Sequence, residues 1–421
     1  MTNALEWVNS TRSLARRQRS LGPGSAPFNL YPPKTDGDEC LEYPGPYPLE
    51  IEFDLSNLPA GYFARQTTSG LEQWQEILPA LAPQLSLGEG GTPLIESRSL
   101  GGWAGCEVLV KDESRNPTFS HKDRLNLCTI SAALAAGAPG IAVASSGNHG
   151  ASAAAYAARA GIPCILITAN GTSAGAQAFM RAYGAAVVSV PVETRRELLL
   201  RVVRETGYMP VSSVTERHTG NPFGPEGYKT ISYELFCQLG QKAPAAVFAP
   251  TGYAELLFGL WKGFNELKSF GLIKEIPQIV ACEPAARAPL AKAVGINADF
   301  AEVEAAPTNA FAIACTISSW RGHLSVSRSG GFARAVSDEE IADACAESGK
   351  AGLWPEFSAA AALAGVKQAV AAGRKFEGPV VAIQTSCGFK DPPGPGSRVP
   401  EIEPTFSALR SALSKEYGVR I

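Results

Sequence analysis

The chain has 421 residues, of which 45% are apolar, and its formal net charge is −3. This length allows two or three domains with large cores, and the charge gives no basic surface that would indicate nucleic acid or an anionic membrane as a partner. The nine cysteines are scattered without a C-x-x-C pair, so we expect free thiols and neither a disulfide framework nor a metal site.

The two features that direct a chain to a membrane or out of the cell are not evident. The first 20 residues carry basic side chains with no apolar core after them, unlike a secretory signal. Gly and Pro interrupt the Ala-rich runs before they become long enough to span a membrane. We therefore expect a cytoplasmic protein without a membrane partner.

Residues 1–85 differ in composition from the rest and are predicted to form an N-terminal extension. Segment 22–48 is rich in Pro and Gly, which favours an irregular arm. After it, residues 71–78 predict a short helix that ends at Pro79. The compact pattern is predicted to start near Ser86.

From Ser86 onward, short β-rich runs alternate with helical segments. The predicted strands are 141–145, 164–168, 186–190, 246–249, 278–283 and 380–384. The predicted helices are 151–160, 174–183, 193–206, 255–268, 338–348, 357–372 and 404–416. This alternation predicts an α/β fold with parallel sheets covered by helices on both faces, and the length suggests two such sheets with the active site between them.

Three polar, glycine-bearing loops, 145–150, 250–255 and 385–388, each follow a predicted strand. Ligands of open α/β sheets bind beyond the carboxyl ends of the strands, where helix N-termini offer free N–H groups to anions. A single loop of this kind is usually only a turn. Three of them together predict one crevice for an anionic ligand.

Segment 116–124 contains Lys122 directly before Asp123 and Arg124. A lysine at the start of a helix is usually a solvated side chain. A catalytic lysine has to be neutral, which requires desolvation or a cationic neighbour. The segment alone leaves both interpretations of Lys122 open.

The stretch from Ser86 to Pro392 resembles threonine synthase and its relatives, the fold-type II pyridoxal 5′-phosphate (PLP) enzymes. Six segments carry the resemblance in the family's order: 86–94, 116–124, 145–150, 225–230, 261–264 and 385–392. The resemblance implies two doubly wound parallel-sheet domains. The large PLP-binding domain comprises 86–135 and 222–421. The small domain, 136–221, carries the loop 145–150 that contains Asn148, which is called the asparagine loop below. We also expect a homodimer that acts on a small amino-acid substrate.

The same resemblance assigns the site residues. Lys122 carries the cofactor as a Schiff base and, once released, acts as the general base. Asn148 bonds the ring hydroxyl of the cofactor, and Thr385 bonds its pyridine nitrogen. The residues implied for the substrate carboxylate are Ser145, Ser146 and His149. The residues implied for the cofactor phosphate are Gly252, Tyr253, Ala254, Glu255 and Leu256.

Two positions depart from the family pattern. Glu255 stands in a phosphate loop that is commonly a run of glycines, and a carboxylate beside a phosphate is unfavourable unless it points away or pairs with a cation. His149 and Gly150 follow the loop asparagine where the family typically has Thr and Ser. The loop sequence Ser-Ser-Gly-Asn-His is closer to the corresponding loop of serine/threonine dehydratases.

The first functional interpretation is threonine synthase-like chemistry, in which a group is eliminated from an activated amino acid and a nucleophile is added. A dehydratase-type ammonia-lyase that makes a 2-oxo acid, or a β-replacement enzyme, is the alternative. A non-catalytic protein that keeps the PLP fold is the third. Outside the motifs, we expect His218 to be a surface or structural residue and Arg321 to be solvated beside a packed Trp320.

Overall fold

The fold is described from a computed structural model, in which the described residues are 6–22, 27–34, 47–59, 61–64, 68–215, 217–391 and 399–421. Most of the Pro- and Gly-rich segment 22–48, and Pro392 at the end of the last motif, lie outside them. The chain forms two compact units, Met1–Lys390 and Asp391–Ile421. The described strands all belong to the first unit, and helix α13 is the helix of the second.

The strands are β1 Ala15–Ser20, β2 Phe28–Asn29, β3 Leu49–Phe53, β4 Leu94–Glu96, β5 Val108–Asp112, β6 Ile141–Ala144, β7 Cys164–Ala169, β8 Ala186–Val190, β9 Met209–Pro210, β10 Ala246–Pro250, β11 Gln278–Pro284, β12 Phe332–Val336 and β13 Val380–Gln384. The helices are α1 Glu6–Ser10, α2 Arg98–Ala104, α3 Lys122–Ala135, α4 Asn148–Ala160, α5 Ala174–Ala182, α6 Arg195–Thr206, α7 Gly224–Gln238, α8 Glu255–Ser269, α9 Pro289–Gly295, α10 Trp320–Arg328, α11 Asp338–Lys350, α12 Ala361–Ala371 and α13 Phe406–Tyr417.

The larger sheet has six strands in the order β12-β11-β10-β13-β5-β4. All neighbours are parallel except β4, which runs antiparallel to β5 at the edge. Every residue of β5, β10 and β13 is buried, as expected for parallel strands covered on both faces. One face packs on α7 and α8, and the other packs on α2 and α12.

The smaller sheet has four parallel strands in the order β8-β7-β6-β9. Helices α4 and α5 cover one face, and α6 covers the other. Two mostly parallel sheets with helices on both faces confirm the predicted fold class. The residues of each sheet follow the two predicted domains, although the domain boundaries themselves stay a prediction.

The described parts of the N-terminal region form regular structure that packs on the rest of the first unit. Strand β1 pairs antiparallel with both β2 and β3, and Lys262 Nζ of α8 donates to the carbonyl oxygen of Ile51 at 2.6 Å. Trp74 is fully buried and lies 5.3 Å from the ring of Tyr233. The compact part of the fold therefore begins well before Ser86. The sequence concealed this because β1 reads Ala-Arg-Arg-Gln-Arg-Ser, which has no apolar alternation.

Two predicted helices differ in type from the observed ones. The predicted helix 71–78 is a 3₁₀ helix, Leu71–Ile77, with a kink at Trp74. The predicted helix 357–372 begins as a 3₁₀ turn, Phe357–Ala360, and continues as α12. None of the helices in the described ranges is long and apolar enough to cross a membrane.

We predict that Trp74→Ala lowers the free energy of unfolding by about 3–5 kcal/mol, because it removes a large side chain from a packed core. Trp354→Ala is the matched control, since Trp354 is 57% exposed, and it should cost less than about 1 kcal/mol. Denaturant titration of both variants provides the measurement. Equal losses would contradict the assignment of the N-terminal region to the core.

Candidate active site

Lys122 is the first residue of α3, and the loop before it is held by the neighbouring carboxylate. Asp123 accepts hydrogen bonds from Thr118 N at 2.7 Å, from Thr118 Oγ1 at 2.6 Å and from Ser152 Oγ of α4 at 2.6 Å. Burial raises the pKa of Asp123 to about 6, against the opposing effect of these hydrogen bonds. Asp123 thus ties the loop before Lys122, called the lysine loop below, to the helix that begins with Asn148.

A buried ion network fixes the first turn of α3. Arg124 donates to Glu113 Oε2 at 2.7 Å and to Glu234 Oε1 at 2.6 Å, and all three side chains are fully buried. Lys111 Nζ donates to the second oxygen of Glu234 at 2.6 Å. Burial raises the pKa of Glu234, but the two cations lower it more, so that it falls to about 2. The carboxylate therefore stays charged and Arg124 has one stable position.

The side chain of Lys122 is partly buried, and its amine lies against Tyr228. Its Nζ donates to Tyr228 Oη at 3.0 Å, and the ring of Tyr228 stacks on that of His121 at 5.2 Å. Burial lowers the pKa of Lys122, although the charges of Glu255 and Glu356 act in the opposite direction. Lys122 is not the solvated lysine of the simpler interpretation, and desolvation makes its amine a better nucleophile and base.

The side chain of Asn148 is held on both sides. Its Nδ2 donates to Glu356 Oε2 at 2.6 Å, while its Oδ1 accepts from Lys390 Nζ at 2.6 Å and from Ser386 Oγ at 3.3 Å. The amide therefore has a single orientation, with one N–H directed to Glu356. Its second N–H is left to serve a ligand.

Thr385 lies at the end of β13, beside the lysine loop. Its carbonyl oxygen accepts hydrogen bonds from His121 N at 3.0 Å and from His121 Nδ1 at 3.1 Å. Ser386 forms an antiparallel bridge with Ser120. The loops that carry Lys122, Asn148 and Thr385 thus meet at the carboxyl edges of the two sheets.

The segment from Gly252 to Leu256 joins β10 to α8. Ala254 is the N-cap of α8 with a φ of 63°, and no side chain caps the helix. The first N–H groups of a helix have no intrahelical partner and carry the positive end of its dipole. This loop therefore presents backbone donors that suit a phosphate.

Glu255 lies beside Arg321 and His218 at the start of α8. One carboxylate oxygen lies 3.7 Å from His218 Nε2 and 3.7 Å from a guanidinium nitrogen of Arg321. Burial raises the pKa of Glu255, but the hydrogen bond from His218 and the electrostatic effect of Arg321 lower it more, so that it falls to about 2. The carboxylate that replaces a family glycine at this position is therefore compensated within the protein.

Arg321 is buried, so the expectation that it is solvated is wrong. It donates to the carbonyl oxygens of Thr219 at 2.5 Å and of Leu49 at 2.7 Å. Arg321 therefore joins α10 to the N-terminal sheet and to the segment before α7. Spacing in the sequence gave no sign of these partners because they are far away along the chain.

Tyr253 lines the crevice next to Glu255. Its ring stacks on His218 with centroids 4.0 Å apart and an interplanar angle of 4°. Its hydroxyl hydrogen-bonds the thiol of Cys315, and burial raises the pKa of that thiol to about 12. Cys315 is therefore a neutral thiol and not a nucleophile at physiological pH.

The side chains assigned to the substrate carboxylate are partly engaged within the protein. Ser145 Oγ accepts from Gly147 N at 3.3 Å and from Gly150 N at 2.9 Å. His149 Nε2 lies 3.0 Å from the carbonyl oxygen of Val211. Burial lowers the pKa of His149 to about 4, so the ring is neutral and positions the loop.

Tyr228, Glu356 and Lys390 are among the residues that contact predicted site residues without having been assigned a role. Tyr228 and Lys390 lie inside motifs that carry the family resemblance. A lone carboxylate before a helix, as Glu356 is, resembles an ordinary helix-start residue. Nothing in the local sequence distinguishes it.

The family model described as "Pyridoxal-phosphate dependent enzyme" matches residues 85–386. The chain belongs to this family. Threonine synthase from Methanocaldococcus jannaschii is 33% identical over 358 residues, which cover 82% of this chain and 87% of that protein. Threonine synthase from Bacillus sp. (strain ULM1) is 36% identical over 329 residues, which cover 76% of this chain and 90% of that protein.

Solved structures give the same family fold. Maize serine racemase has a TM-score of 0.62 at 20% identity, with 73% of this chain and 91% of that one covered. Threonine deaminase isoform 2 from Solanum lycopersicum has a TM-score of 0.61 at 20% identity, with 78% and 88% covered. The sequence-based predictions of the fold-type II fold, the PLP cofactor and a threonine synthase-like lyase are confirmed.

The residues of this PLP-dependent enzyme fit its cofactor. The uncapped N-terminus of α8 offers donors for a phosphate, and the desolvated amine of Lys122 suits a carbonyl group. Asn148 keeps one N–H for a hydroxyl group. Glu255 does not spoil the fit, because the guanidinium of Arg321 lies 3.7 Å from its carboxylate.

We predict that His149 makes the enzyme less stable as pH falls from 7 to 5. Its pKa is lower in the folded state, about 4 against 6.5, so its contribution is present above pH 6.5 and is lost as pH falls towards 4. The expected loss between pH 7 and 5 is about 2 kcal/mol.

Denaturant titrations of the wild type and of His149→Gln at both pH values test this prediction. The variant keeps a donor for Val211 O but has no titrating ring, so its unfolding free energy should lack this part of the pH dependence. Parallel pH profiles for the two proteins would show that His149 is not held neutral.

Proposed function

We propose that the chain eliminates a group from the side chain of an amino acid and adds a nucleophile in its place, as a threonine synthase-like enzyme. The observation that carries this proposal is the desolvated amine of Lys122 in the crevice that also contains Asn148 and the open start of α8. Relatives named threonine synthase that match over about four fifths of the chain support the reaction class.

Each residue then has a stated task. Lys122 would hold the cofactor through its amine, and the same amine would serve as the base for the α-proton of the substrate. Asn148 donates to the ring hydroxyl of the cofactor, with Glu356 and Lys390 fixing its orientation. The segment 252–256 binds the phosphate through backbone N–H groups. PLP itself supplies the electron sink for the carbanion.

Thr385 bears on the choice of reaction. A neutral hydroxyl at the pyridine nitrogen does not stabilise a protonated ring as a carboxylate would. Electron withdrawal is then moderate, which favours elimination of a side-chain group over transamination. The backbone of loop 145–148 receives the substrate carboxylate beside Ser145 and Ser146.

A dehydratase-type ammonia-lyase is the second candidate. The feature that favours it is His149 directly after Asn148, where threonine synthases typically have Thr. The ring of His149 bonds Val211 O and leaves no hydroxyl at that point of the crevice. A substrate phosphate would find a different set of groups there.

The proposal includes three further predictions: a homodimer, a cytoplasmic location, and the division into a large and a small domain. The large domain comprises residues 86–135 and 222–421, and the small one comprises 136–221. Sedimentation analysis of the purified protein tests the dimer directly. A monomer at micromolar concentration would overturn that part of the proposal.

The reaction is tested by incubating the holoenzyme with a panel of amino acids and their O-phospho derivatives. We expect a new amino acid as product, detected by chromatography, with little ammonia. Ammonia together with a 2-oxo acid would favour the dehydratase. A correctly folded holoenzyme that turns over no member of either set would contradict both candidates.

A further inference from the structure

Tyr228 places a neutral hydroxyl against the amine of Lys122. Its side chain is fully buried on α7, and in the described part of the chain its Oη is hydrogen-bonded to Lys122 Nζ at 3.0 Å. Burial raises the pKa of Tyr228 well above its ordinary value, so the hydroxyl keeps its proton. A neutral hydroxyl accepts a hydrogen bond from an ammonium group or donates one to the lone pair of an amine. Tyr228 can therefore stay bonded to Lys122 in both protonation states.

The ring of Tyr228 is held by the lysine loop. It stacks on the ring of His121, with centroids 5.2 Å apart and an interplanar angle of 27°. His121 is held in turn by the carbonyl oxygen of Thr385, which lies 3.0 Å from its backbone N and 3.1 Å from its Nδ1. Burial lowers the pKa of His121 well below its ordinary value, so the ring is neutral and adds no like charge beside the amine. The stack thus connects the end of β13 to the hydroxyl that faces Lys122.

The backbone of Tyr228 is fixed by close helix packing on two sides. A Cβ atom at Gly227 would overlap the carbonyl oxygen of Arg124 in α3, and a Cβ atom at Gly259 of α8 would overlap the Cβ of Tyr228. Helix α7 therefore approaches both helices as closely as glycine allows. This packing and the stack on His121 together give the hydroxyl of Tyr228 one position.

The other titratable groups around Lys122 act on its amine without bonding it. They come from several segments of the crevice: Glu255, Glu356, Cys315, His149 and His121. Among the described residues, the hydrogen-bond partner of Lys122 Nζ is Tyr228. A lysine amine lies at the end of a flexible four-carbon stem, which takes many positions unless a bond orders it. Tyr228 supplies that bond.

We propose that Tyr228 is the positioning residue of Lys122, whose hydroxyl holds the amine at the place from which it reacts with the carbonyl group of the cofactor. The proposal rests on the assignment of the cofactor to Lys122 in the proposed function, and it is independent of which amino acid the enzyme uses. In this reaction the amine nitrogen forms a C=N bond with the aldehyde carbon. The aldehyde oxygen leaves as water with the two protons of the amine, and Tyr228 keeps its own proton.

The test removes the hydroxyl alone. Tyr228→Phe keeps the ring and its stack on His121. The full chain is freed of cofactor, and the rate of Schiff base formation with added pyridoxal 5′-phosphate is followed by absorbance as a function of pH. At high pH, where the amine is neutral, we expect the rate to fall roughly tenfold, the effect typical of one lost hydrogen bond. The rise of the rate with pH should move to lower pH, because the ammonium form of Lys122 has lost its acceptor.

Two controls separate placement of the amine from damage to the fold. Pyridoxamine 5′-phosphate has no carbonyl group and reports whether the cofactor site is intact, so its Kd should be the same in Tyr228→Phe and the wild type. Tyr233→Phe is the matched control: it removes another fully buried hydroxyl from α7, one that bonds Glu266. It should change neither the rate nor its pH dependence.

The inference would be overturned by a wild-type rate and pH dependence in Tyr228→Phe, by an equal loss of pyridoxamine 5′-phosphate binding, or by the same change in Tyr233→Phe. Loss of pyridoxamine 5′-phosphate binding would show that Tyr228 shapes the site and does not place the amine. The modified lysine and turnover are measured separately. A Schiff base on a lysine other than Lys122 would refute that assignment and this inference with it. The expected changes in an enzyme that turns over no amino acid would refute the proposed reaction alone.

Discussion

The two buried carboxylates that hold Arg124 are the constraint on which the site depends. Glu113 and Glu234 fix the first turn of α3, and with it Lys122, because neither the cation nor the anions can move without leaving a buried charge unpaired. From this turn, Asp123 reaches Ser152 of α4. The network therefore determines how the lysine loop faces the asparagine loop.

The acidic groups of the crevice contact other groups of the protein. Glu255 lies 3.7 Å from Arg321 and from His218, and Glu356 accepts a hydrogen bond from the amide of Asn148. Lys122 differs because burial lowers its pKa and its hydrogen-bond partner is the neutral Tyr228. A lowered pKa is what a lysine that attacks a carbonyl group requires.

The sequence was informative where function depends on local order. Alternating strands and helices from residue 141 to 206 are visible as short periodic runs, and Lys122, Asn148 and Thr385 each lie in a motif at a strand end. Contacts between distant segments were not visible. Lys390 bonds Asn148 across 242 positions, and Arg321 bonds Leu49 across 272. Such pairs follow from the tertiary fold and leave no signal in local spacing.

The most direct test of this account is to locate the cofactor on the chain. The holoenzyme is reduced with borohydride, digested and mapped by mass spectrometry, with Lys122→Ala as the control. We expect the reduced adduct on the peptide that contains Lys122 and none in the variant. Lys390 is a second lysine of the crevice, and its amine donates to Asn148 in the described structure. An adduct on Lys390, or on any other lysine in the wild type, would contradict the central claim.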